Sequence, residues 1–347
     1  MQMKSMLLYY CVMLLACGKG EPMTPPVTPA PVTPPPVVIR PLRTVNVRTS
    51  NELKDALLNA QPGDDIVLAD GVYSGGFVVA ADRAGTAANP VTLRGSRAAI
   101  LDGGSTSTGY VLHLQADYWT VRGITLRNGL KGIMADGIHD SEIDSVRVDG
   151  IGEEGIHLRR HSSRNLIRRC TIVNTGIETP DYGEGVYIGS AKSNWPTYTN
   201  GDPDRSDSNQ VLDNIIGPGV AAECVDIKEG TTGGLVRGNR FNSDGISGAN
   251  AADSWIDVKG NYWRIENNVG FNPTGSALLD GYQVHVAVAG WGNYNEFKTN
   301  DCTVNAAGYG VMVKLTGSVG NAVGNKVWAD NQVRGAAQGV SNIPLTQ

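Results

Sequence analysis

Short apolar alternations recur along this chain, and eight of them can be laid over one another. They centre on Leu112-His113-Leu114, Ile133-Met134-Ala135, Ile156-His157-Leu158, Val186-Tyr187-Ile188, Val225-Asp226-Ile227, Ile256-Asp257-Val258, Val284-His285-Val286 and Val311-Met312-Val313. The central residues lie 21 to 39 positions apart. A repeat of that length, made of β-branched runs broken by Gly and Asn, predicts an all-β right-handed parallel β-helix. Equivalent residues on successive coils then stack about 4.8 Å apart, so a column in the alignment becomes a column on a surface.

Side chains alternate faces along a strand, so the Leu, Ile and Val flanking each centre point into the core and the centre points out. The outward column reads His113, Met134, His157, Tyr187, Asp226, Asp257, His285, Met312. Two residues further on, a second outward column reads Gln115, Asp136, Arg159, Gly189, Lys228, Lys259, Ala287, Lys314. Three residues before the centre, Glu154, Glu184 and Glu223 enter three successive coils. Ionisable groups thus gather on the middle coils, where a site is expected.

Two carboxylates about 5 Å apart repel by roughly 3 kcal/mol at an effective dielectric near 20. The Glu154/Glu184/Glu223 ladder therefore calls for a cation, a shared proton or solvent. Hard oxygen donors suit Ca²⁺, and the alternative is a ladder splayed into water. Lys228 and Lys259 pose a similar question. Mutual repulsion lowers a lysine pKa and makes a base, while Asp226 and Asp257 hold the proton on.

A helix is predicted from the Leu53, Ala56, Leu57 and Ala60 spacing, with Ser50 or Asn51 as N-cap, and it would cover the open first coil. Further strands are expected over Trp119–Val121, Ser141–Val148, Leu166–Val173 and Leu235–Phe241. Asn and Gly at the corners (Asn128-Gly129, Asn174, Asn214, Gly238-Asn239, Asn267-Asn268) are read as left-handed turn residues. One long insertion separates Ile188 from Val211 and leaves the stack beside the suspected site. Its Trp195 and Tyr198 either stack on sugar rings or pack down on the coil beneath.

Composition narrows the picture further. The net charge of −5 carries no basic stripe, which argues against nucleic acid. Cys170, Cys224 and Cys302 form neither a CxxC nor a His-paired cluster, so buried hydrophobic roles are expected. The first 17 residues read as a lipoprotein-type signal ending in Leu14-Leu15-Ala16-Cys17, with Cys17 lipidated and a plain signal peptide as the alternative. Residues 18–43 form a Pro/Thr-rich tether, and residues 44–347 a single β-helix domain. The expected product is a secreted monomer, lipid-anchored at the bacterial cell surface or outer membrane, meeting the membrane only through that anchor.

Residues 44–103 hold Asn51-Glu52-Leu53, Ala60-Gln61-Pro62-Gly63-Asp64, Asp70-Gly71-Val72-Tyr73, Asn89-Pro90-Val91-Thr92-Leu93 and Leu101-Asp102-Gly103. With Glu223-Cys224-Val225-Asp226-Ile227-Lys228, this resembles the alginate lyase/chondroitinase B family of polysaccharide lyases, within the pectin-lyase-like superfamily. The resemblance covers about residues 44–270. It implies Glu223 as a calcium ligand and Lys228 as the base that removes a uronate C5 proton. The family's second acidic ligand falls on Ala221, so Glu184 or Glu154 would substitute. Its Arg acid has no counterpart on Ser254-Trp255-Ile256-Asp257, which leaves Lys259, His157, Tyr187 or His285 as acid. Arg159, Trp195 and Tyr198 would bind the polysaccharide. Two other readings stay open: a glycoside hydrolase using Asp226 and Asp257, and a glycan-binding adhesin without catalysis.

Overall fold

The computed structural model describes residues 41–273 and 276–347; the signal-like segment, Cys17 and most of the tether lie outside the described residues. Three parallel sheets of twelve, ten and ten strands run the length of the domain, each strand hydrogen-bonded to its equivalent one coil away. Successive strands of one coil fall in different sheets, and right-handed crossovers join them into a parallel β-helix.

Inward columns of Val, Ile and Leu fill the interior, with Trp119, Trp255, Trp263 and Phe297 fully buried among them. Cys170, Cys224 and Cys302 are free and buried in the same core, as small hydrophobes. At the N-terminal end the helix Ser50–Leu58 buries Leu53 and Leu57 against the first coil. Its N-cap is Thr49, one residue before the expected pair. The Thr49 hydroxyl accepts from the Glu52 amide, and the Glu52 carboxylate accepts from the Thr49 amide. This reciprocal box satisfies two orphan donors and outcompetes Ser50 or Asn51.

Corners correct two expectations. Ser141–Val148, Leu166–Val173 and Leu235–Phe241 are each two strands, bent at Ser145 (φ 57°), Arg169 (φ 53°) and Gly238 (φ 71°). Asn128, Asn174, Gly238 and Asn267 take the left-handed conformation as expected, whereas Asn214, Asn239 and Asn268 each follow the left-handed residue and are buried. Asn214, Asn239, Asn268, Asn300 and Asn331 form a ladder in which the side-chain oxygen of each of the last four accepts from the backbone N–H of the Asn before it, at 2.9 to 3.1 Å, and that of Asn214 accepts from the Cys170 amide. Buried amides that would otherwise lack partners at the bend are satisfied in this way.

Candidate active site

The site lies on the ten-stranded sheet that runs from Phe77–Val79 to Gly339–Ser341. Its register aligns His113, Met134, His157, Tyr187, Asp226 and Asp257 as the sequence pattern predicts. The next strand is Tyr282–Val284, two residues earlier than expected, so Gln283 stands opposite Asp257. A shift of two keeps the same face outward. His285 therefore joins the Lys228/Lys259 column instead of the Asp226/Asp257 column, its amide bonded to the Val258 carbonyl.

That arrangement builds a chain of alternating charge. Lys228 Nζ sits 2.6 Å from Asp226 Oδ2, and Lys259 Nζ bridges Asp226 Oδ1 at 2.9 Å and Asp257 Oδ2 at 2.6 Å. His285 Nδ1 closes the chain 2.8 Å from Asp257 Oδ1. Burial opposes the lysines' charge, yet Asp226 with Glu184 at Lys228, and Asp226 with Asp257 at Lys259, hold both protons on above the usual lysine range. Attraction to the aspartates thus prevails over repulsion between ammoniums. Asp257 is held well below the carboxylate range, because Lys259 and His285 outweigh its burial.

The glutamate column is buried, which rules out the solvent-splayed ladder. It also divides. Glu154 is bonded by Lys131 and lies 3.3 Å from His157 Nδ1; these partners overcome burial and bring its carboxyl down to about 2. Among the described residues no cation bonds Glu184 or Glu223. Burial first, then Asp226, pushes Glu184 well above the glutamate range and Glu223 up to about 8. One oxygen from each of Glu184, Glu223 and Asp226 comes within 4.8 Å of the others, and Glu184 Oε2 is buried without a hydrogen-bond partner. The expected ligand trio is therefore rearranged: Asp226 replaces Glu154. Three hard oxygens with one orphaned acceptor fit a cation such as Ca²⁺.

Two hollows share Glu184, Lys228 and Asn250 and form one cleft. One, about 260 Å³, holds Glu223, Asp226, Asp257, Lys259 and His285; the other, about 480 Å³, holds Tyr110, Lys131, His157, Arg159, Tyr187 and Tyr198. Arg159 is bonded to Asp136 at 2.6 and 3.2 Å and lies 4.1 Å from the centre of the Tyr198 ring. Tyr187 is buried beside His157 and 4.8 Å from Lys228 Nζ; burial, then Asp226, keeps its phenol protonated far up the scale. Trp195 is buried and donates to the Ser190 carbonyl, so it anchors the insertion and offers no face to a sugar. The pattern missed Lys131, although it stands three residues before Met134 in the glutamate column. It also missed the wall where Asn250 bonds the Asp181 carbonyl, since no periodicity marks a loop contact.

The fold and site define a parallel β-helix protein with a buried, charged cleft on one sheet. The comparisons narrow the class. The Chondroitinase B family model matches residues 47–200. An alginate lyase from Paenibacillus sp. strain FPU-7 is 43% identical, with a TM-score of 0.77 over 87% of this chain and 99% of its own. The chain belongs to this family of polysaccharide lyases. Two solved structures share the fold alone: pectate lyase Pel9A (13% identity, TM-score 0.54, 89% of this chain and 82% of its own) and the tailspike protein of E. coli bacteriophage HK620 (14%, 0.52, 79% and 48%). A search of curated proteins found no match.

Proposed function

We propose that the protein cleaves a uronate-containing polysaccharide by β-elimination, with alginate as the polymer to test first because a 43% identical relative is an alginate lyase. The observation that carries the reading is Lys228, which lines both halves of the cleft with its Nζ between Tyr187 and Asp226.

Lys228 would take the C5 proton, the C5–H electrons would form the C4=C5 bond, and the C4–O bond would break. Tyr187, kept as a neutral phenol, would donate to the departing oxygen. In the resting cleft Lys228 is an ammonium ion, so its service as base requires Asp226 to be drawn off it and its own proton to pass to solvent before the C5 proton is taken. A divalent cation held by Glu184, Glu223 and Asp226 would supply positive charge for the uronate carboxylate and for Asp226. Lys259 stays charged and offsets the repulsion between Asp226 and Asp257. Arg159 and Tyr198 would line the neighbouring sugar positions. Incubation with alginate should generate the ultraviolet absorbance of a conjugated unsaturated uronate. New reducing ends without that absorbance would sink the reading.

The hydrolase alternative is disfavoured by the same ion pairs. A retaining hydrolase needs one carboxyl protonated as acid. Asp257 is held ionised by Lys259 and His285, and Asp226 lies against the ammonium groups of both Lys228 and Lys259. Family membership sets the purely adhesive reading aside.

We also propose a secreted monomer tethered by lipid at Cys17, a reading supported by residues 1–43 and by a polymeric substrate too large to enter a cell unaided. Cys17→Ser should release the protein from the membrane fraction; continued membrane association would count against the anchor.

A further inference from the structure

Beyond the cleft, one corner of the coil carries two aromatic rings that packing does not explain. On successive coils this corner is occupied by Tyr118 (φ 57°), Asp140 (φ 52°), Arg164 (φ 60°), Ser208 (φ 59°), Gly233 (φ 73°), Tyr262 (φ 57°), Tyr294 (φ 58°) and Gly324 (φ 68°). The left-handed backbone belongs to the corner and recurs from coil to coil, so it is the exposure of the two rings, and not their φ angles, that calls for an explanation. Tyr262 and Tyr294 are 54% and 46% exposed. Their rings are stacked, 4.9 Å between centroids and 8° from parallel, and neither phenol forms a hydrogen bond among the described residues.

Glycines on either side shape the pair. A Cβ on Gly324 would fall 2.3 Å from the Tyr294 ring, so that ring rests in space only glycine leaves. On the other side, a Cβ on Gly233 would meet only Ser208 Oγ, at 3.9 Å, and nothing there covers Tyr262. The corner also connects to the cleft. Tyr262 follows Lys259 by three residues, and Asn261 bonds the Gly290 carbonyl in the segment that leaves His285. That segment presents Trp291, half-exposed, with the Arg205 guanidinium of the insertion 5.7 Å from its ring centre.

We infer that Tyr262, backed by Tyr294 and continued by Trp291, forms a second sugar-binding platform that holds a stretch of polysaccharide outside the reacting cleft by stacking a pyranose ring on the open face of Tyr262. The inference rests on the polysaccharide-lyase reading above. Its effect is on long chains, which reach the cleft and the corner together; a short oligosaccharide in the cleft does not reach the corner.

The test is the Tyr262→Asn/Tyr294→Asn double variant, since Asn accepts left-handed backbone. Each ring is worth a few-fold in affinity, so KM on polymeric alginate should rise about tenfold. kcat on the polymer, all constants on a trisaccharide and the melting temperature should stay as in the wild type. Equal KM on polymer would overturn the platform, as would a KM that rises equally on the trisaccharide. Should the variant fold poorly, hydroxyl-radical footprinting of the Lys228→Ala protein decides: polymer should protect Tyr262 and Tyr294 and trisaccharide should not, and unprotected rings under saturating polymer overturn the proposal. A wild type that self-associates through these rings, with polymer KM unmoved by the variant, would assign the patch to a second copy of the chain and overturn it too. Wild type without lyase activity on alginate would instead strike the reading beneath it.

Discussion

Lys259 reaches back one coil to set its ammonium 2.9 Å from Asp226 Oδ1, while its own strand's Asp257 holds it at 2.6 Å. A single buried cation thus neutralises two stacked carboxylates. Their register alone would bring them within repulsive range. Lys228, by contrast, contacts one aspartate and faces both hollows of the cleft.

The two lysines should therefore fail differently. Lys228→Ala should lower turnover on alginate by at least about 10²-fold, the scale of a lost general base. Lys259→Met should destabilise the fold by about 3 kcal/mol, because it removes the cation shared by two buried carboxylates and leaves each with one remaining partner, Lys228 for Asp226 and His285 for Asp257. Steady-state kinetics and urea denaturation of both variants check this. A Lys259→Met protein as stable as wild type would mean the bridge is dispensable.

Four inner carboxylates, Glu184, Glu223, Asp226 and Asp257, face two ammonium groups, and the two with raised pKa are the ones left over. Calcium should raise the melting temperature and chelator reverse it, as for any ligand that binds only the native state. Glu184→Gln or Glu223→Gln should abolish the response. Glu154→Gln should preserve it, because Glu154 is occupied by Lys131.

The same raised carboxyls set a pH dependence. Glu223 moves from an ordinary 4.5 to about 8 in the folded protein, so the native state holds a proton that the unfolded chain gives up. Without cation, its contribution makes stability fall as pH rises through that window. Calcium must displace the proton, so affinity should increase toward pH 8 with protons released, and calorimetry in buffers of different ionisation enthalpy should detect the release. Calcium affinity flat across this range would refute the assignment.

The insertion depends on Asp204, which is fully buried. It accepts from the Arg160 and His161 amides at 3.0 and 2.8 Å and from the Ser190 and Ser206 hydroxyls, both at 2.8 Å. Asp204→Ala leaves four donors unpaired and should cost about 3 kcal/mol or more. Loss of Tyr198 positioning should raise KM as well. Limited proteolysis between residues 190 and 207 should become faster; an unchanged digest would show that the loop stands without this buttress.

Periodicity alone was enough to specify the coil, the face that carries chemistry and most of its columns. Core alternation is local, and each strand's inward Val, Ile and Leu leave only one way to face out. It placed Tyr187, Asp226, Lys228, Asp257 and Lys259 correctly, and it put His285 in the wrong column by a register of two residues because Val284-His285-Val286 mimics the motif as well as Tyr282-Gln283-Val284 does. What it could not supply is who pairs with whom. That Glu154 goes to Lys131, that Asp226 joins Glu184 and Glu223, and that Trp195 turns inward while Tyr198 meets Arg159 are all decided by side-chain reach across coils and by burial. Electrostatic energies depend on distances between groups far apart in the chain and on the water removed from them, and both exist only once the coil has closed.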